Sequence, residues 1–115
     1  MKIRWINLAW TLALFGFVLF FAMPVSADET AGKKIFLDNK CNTCHSIESQ
    51  EIKKTLATSK APDLSNVGAE RKGDWIIEFL QKKVDLNGKK HMKAWTGKEE
   101  DLKTLAVWLE TLKKK

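Results

Sequence analysis

Apolar residues recur at helical spacing in three stretches of the chain. The first covers about residues 30–40, where Ile35, Phe36 and Leu37 are apolar and Lys33 and Lys34 face outward. The second covers about 74–83. It sets Trp75, Ile76, Phe79 and Leu80 at i, i+1, i+4 and i+5, on one helix face. The third is the clearest: Leu102, Leu105, Ala106, Leu109 and Leu112 form a stripe. Thr96, with Glu99 three residues later, predicts a capping box at its start. Beyond the N-terminal segment no run of β-branched residues alternates strictly, so no strand is predicted. The expected fold class is all-α.

Between the first two stretches lies a long polar segment, residues 46–72, containing Pro62 and Gly68. Its inner part, 51–59, predicts a short helix. Asn87-Gly88 predicts a turn. It leads into Lys89-Lys90-His91-Met92-Lys93-Ala94-Trp95, a loop long enough in so small a domain to need something holding it.

The N-terminus has a different pattern. Lys2 and Arg4 precede an almost wholly apolar run from Ile6 to Met23, followed by Pro24 and Val25-Ser26-Ala27. Basic, apolar and small-residue segments in that order predict a secretory signal peptide, residues 1–27, cut after Ala27. The apolar run also reaches the lower limit of about 18 residues for a spanning helix, so an uncleaved anchor is the competing reading. Either way the remaining domain, residues 28–115, is expected outside the cytoplasmic membrane, periplasmic or otherwise exported from a bacterium.

A domain that short has a modest core and commonly leans on a metal, disulfide or cofactor. The chain is basic, with 20 Lys and Arg against 14 Asp and Glu. In an exported protein this charge argues for solubility or protein partners and against nucleic acid. Its two cysteines stand three apart and are followed at once by histidine.

Cys41-Asn42-Thr43-Cys44-His45 is the C-x-x-C-H pattern of haem attachment. Two thiols at this spacing can each add to one vinyl group of a haem, giving thioethers, and the adjacent imidazole can ligate the iron. The haem also replaces core that so short a chain cannot build. A thioredoxin-type redox pair would follow a strand in a βαβ unit, which is not predicted. A structural zinc site wants four ligands, and beyond the motif only His91 offers a further Cys or His. A strained local disulfide is the third alternative. Met92 is the only methionine beyond residue 27, and it stands in a lysine-rich loop without apolar periodicity. A thioether there suits a second axial ligand better than a core filler. The neighbouring His91 is its rival, because imidazole also binds iron.

At these residues the chain resembles the class I c-type cytochromes, over nearly all of residues 28–115. The motif near the start and a lone methionine far downstream follow that family's order. The resemblance implies a cytochrome c fold, a small helical domain wrapped around one covalent haem c. Cys41 and Cys44 would form its thioethers, and His45 and Met92 would be the axial ligands of its iron. Gly32 and Phe36 resemble the pair that packs the family's first helix against Leu105 and Trp108 on its last. Ala61-Pro62-Asp63-Leu64 resembles a segment whose proline carbonyl accepts a hydrogen bond from the axial imidazole, which makes Pro62 the implied acceptor. Ala61 stands where glycine is customary, and Lys93 after Met92 where proline is common. Arg71 and Trp75 are placed where their donors could reach haem propionates.

Lys82, Lys83, Lys89, Lys90 and Lys93 lie around Met92 in the sequence. If that loop faces the iron, they make a positive rim that steers acidic redox partners. No acid/base cluster for substrate chemistry stands out. The expected function is therefore single-electron transfer between a membrane oxidoreductase and a terminal oxidase or reductase. The alternatives are a haem-bearing subunit of a larger oxidoreductase, and a haem sensor, which would need an open axial position.

Overall fold

The computed structural model describes residues 26–114, with side chains from residue 29 onward. The predicted export segment, 1–27, lies outside the described residues apart from the backbone of its last two positions. Among the described residues there are four α-helices: α1 (Ser26–Asp38), α2 (Val67–Glu70), α3 (Gly73–Leu80) and α4 (Glu99–Glu110). Two 3-10 turns, Cys41–Thr43 and Glu48–Gln50, lie between α1 and α2. Among the described residues there is no strand, only isolated bridges between Ile47 and Ile52 and between Leu86 and Lys89. No helix among them is long and apolar enough to cross a membrane.

Helix α4 is the axis on which α1, α2 and α3 all pack. Its apolar stripe is the reason: Leu102, Leu105, Ala106, Trp108 and Leu109 are all buried, as is Leu112 just past its end. Helix α1 crosses it where Phe36 meets Trp108 edge to face, ring centroids 5.9 Å apart at 63°. Ile76 of α3 and the pair Ile47 and Ile52 complete the core. Trp108 buries its indole N–H without a hydrogen-bond partner. Its place therefore rests on apolar contact alone.

Several element ends differ from the sequence expectation, each for a local reason. Helix α1 stops at Asp38 rather than residue 40 because Lys40 turns left-handed (φ 58°) and donates its N–H to Leu37 O at 3.0 Å. Helix α3 stops at Leu80 rather than 83. Lys82 (φ 58°) bonds Phe79 O at 3.1 Å and Lys83 bonds Glu78 O at 2.8 Å, a Schellman ending. The capping box of Thr96 and Glu99 does not form. The N-cap is Lys98, which makes no side-chain cap bond, and three acids in the first turn favour the helix dipole instead.

The short helix expected over 51–59 is also absent. Glu51 turns left-handed, and Ile47 and Ile52 pair through their backbones at 2.9 and 3.1 Å, which buries both side chains. Helix α2, which periodicity missed, exists because Gly68 sits directly on the end of α4. Its N–H donates to Leu112 O at 2.8 Å, and a β-carbon there would come within 2.0 Å of Glu110 O.

Candidate functional site

Residues 41–45 follow the left-handed turn at Lys40. A 3-10 turn eclipses side chains at i and i+3, so it carries Cys41 and Cys44 on one face. The Cys44 and His45 N–H groups both bond Cys41 O, at 3.3 and 3.0 Å, which fixes the imidazole beside the two sulfurs. Both thiols are free and half-buried. Burial pushes the Cys41 thiol up, against a smaller lowering by the Lys93 ammonium and a backbone hydrogen bond. A thioredoxin-type nucleophile needs the opposite shift. Among the described residues no three His, Cys, Asp or Glu side chains converge to hold a metal, so a four-ligand zinc site has no donor set here.

His45 is tied from behind. Its Nδ1–H donates to the Pro62 carbonyl at 2.8 Å. That bond fixes the tautomer and leaves Nε2 with a free lone pair on the other side of the ring. Burial lowers the pKa of His45 most, opposed by the Pro62 bond, so the neutral, ligating form is favoured. The Pro62 segment is itself anchored through Asp63, a residue whose role the sequence did not single out. Its carboxylate accepts from Ser46 Oγ at 2.8 Å, Glu48 N at 2.9 Å and Ser65 N at 2.8 Å. The donors at 46 and 48 follow directly after His45 in the chain, so this carboxylate clips Pro62 onto the C-x-x-C-H turn.

Met92 does not face the His45 imidazole: its side chain is 94% exposed. His91 faces it instead. The His45 and His91 ring centroids are 6.2 Å apart and the planes lie within 9° of parallel. His91 Nδ1 donates to Lys93 O at 2.6 Å, and Phe79 packs edge-on against its ring at 5.3 Å. Phe79 in turn meets Trp75 at 4.7 Å, and the Arg71 guanidinium lies 4.5 Å over the Trp75 ring. Arg71 and Trp75 thus pair with each other beside the site.

The loop holding His91 is fixed at both ends. Leu86 and Lys89 exchange backbone bonds at its start, and Trp95 N donates to Leu80 O at 2.9 Å at its end. Lys93 reaches back so that Nζ lies 3.4 Å from Asn39 O, next to the C-x-x-C-H turn.

The residues present fit a covalent haem: two unpaired thiols on one face of a turn, and beside them an imidazole with a free Nε2. Bound there, the group supplies an iron that cycles between ferrous and ferric. A family model described as Cytochrome c matches residues 29–113, which is most of the chain. No curated protein and no solved structure matches it. The helical fold and the match agree, and the chain belongs to the cytochrome c family, as a haem-binding electron carrier with covalently attached haem c and its iron.

Proposed function

We propose that this protein is a monohaem carrier outside the cytoplasmic membrane, accepting one electron from a membrane oxidoreductase and passing it to a terminal oxidase or reductase. Cys41 and Cys44 hold the haem through thioethers and His45 ligates its iron. The observation that carries this reading is the His45 Nδ1–H bond to Pro62 O at 2.8 Å, beside two free thiols on one face. It orients the ring and leaves the second ring nitrogen, Nε2, for a metal.

Acidic partners suit the loop around the site. Lys89 and Lys93 are exposed, and Lys82 and Lys83 follow the end of α3. Lys90 is the weaker contributor, since Asp85 lies 3.0 Å from its ammonium. Such a rim raises encounter rates with an acidic protein at low salt.

Intact mass and absorption of the exported protein test the reading together. The expected mass is that of residues 28–115 plus one haem, and the expected electron-exchange rate with an acidic redox protein falls as salt rises. A colourless protein with the mass of the polypeptide alone overturns it. An exchange rate indifferent to salt overturns the acidic partner.

A further inference from the structure

We propose that His91, and not Met92, supplies the second axial ligand of the haem iron, an inference that rests on haem attachment at Cys41, Cys44 and His45. Two imidazoles that ligate one metal atom from opposite sides do so at about 2.0–2.1 Å each, with each ring centre roughly 1 Å beyond the nitrogen, so their centroids stand about 6 Å apart. The His45 and His91 centroids stand at 6.2 Å with nearly parallel planes. Both rings also have Nδ1 committed to a backbone carbonyl, Pro62 O for one and Lys93 O for the other. In each neutral ring the uncommitted atom is therefore Nε2, the atom with the lone pair.

The surroundings hold His91 and leave Met92 outside. Phe79 of α3 sets its edge-on contact against the His91 ring, and Trp75 backs Phe79. Met92 has no such wall and is almost fully exposed. Adjacent residues in this non-helical loop send their side chains different ways. Bringing the thioether inward would turn His91 out and break its bond to Lys93 O and its contact with Phe79. A bis-imidazole site stays closed to small molecules, as electron transfer requires, but lacks the potential-raising effect of a thioether.

The haem-loaded full protein, Met92→Leu and His91→Ala decide the question. The expected wild-type ferric spectrum lacks the near-infrared thioether-to-iron charge-transfer band, and proton NMR of the ferrous protein lacks the strongly upfield methionine methyl. Met92→Leu is expected to leave spectrum and reduction potential unshifted. His91→Ala is expected to lose the bis-imidazole spectrum, and either bind carbon monoxide readily or gain the thioether band. A thioether band in wild type, or loss of six-coordination in Met92→Leu, overturns the proposal while leaving haem attachment standing. The wild-type and Met92→Leu results decide it even if His91→Ala fails to fold. A protein without haem overturns the attachment reading itself, and this one with it.

Discussion

Gly32 lies against Trp108 so closely that a β-carbon on Gly32 would come within 2.2 Å of the Trp108 Cβ. This contact sets how near α1 approaches α4, and Phe36 then meets the same indole one helical turn later. The approach positions the site, because the C-x-x-C-H turn begins three residues after α1 ends.

Gly32→Ala is therefore expected to destabilise the protein by about 1–3 kcal/mol, the usual range for overpacking. In an ordinary helix interior the same change gains up to about 1 kcal/mol. A net loss in denaturant unfolding thus identifies the crossing as the cause. A variant as stable as wild type would mean the helices can part without loss.

Lys82 carries the opposite expectation. It holds φ 58° at the end of α3, where its N–H closes the Schellman bond to Phe79 O. A side chain in that conformation costs about 1 kcal/mol that glycine avoids. Lys82→Gly should raise stability by roughly 0.5–1 kcal/mol, read as a higher midpoint of thermal unfolding.

That same residue explains part of what the sequence left unreadable. Periodicity located α3 and α4 because the burial of Ile76 and of the Leu102–Leu112 stripe follows helical geometry directly. It overran the ends of α1 and α3 because lysine stands where glycine would have signalled a stop. It missed α2 because a contact between Gly68 and the end of α4, far along the chain, creates that turn. The C-x-x-C-H site was legible because its chemistry is local in sequence. The direction of His91 was not, because its ring meets Phe79 and His45, which stand elsewhere in the chain.

Glu110 ties α4 to the start of α3: its Oε2 accepts the Gly73 N–H at 2.7 Å. A carboxylate there satisfies one of the orphan donors of the helix start and suits its dipole. Glu110→Ala should cost about 1 kcal/mol, within the range of lost caps. The loss should appear as faster amide exchange in the first turn of α3. Unchanged exchange there would mean solvent replaces the carboxylate without loss.

Asp63 makes acid stability a test of how Pro62 is held. Burial pushes its carboxyl up, but hydrogen bonds from Ser65, Glu48 and Ser46 outweigh that and hold it at about 2, against an ordinary 3.8. A lowered folded pKa means the stabilisation is fully present above about 3.8 and is lost as pH falls through about 2. A shift of that size corresponds to roughly 2.5 kcal/mol, and partial exposure of the carboxylate discounts it to about 1–2 kcal/mol. Asp63→Asn should therefore be less stable than wild type by that amount at about pH 6, with the gap closing towards about pH 2. Paired denaturation curves at the two pH values measure it. A gap that stays constant would mean the three donors do not depend on the charge, and that Pro62 is kept over His45 by packing rather than by the carboxylate.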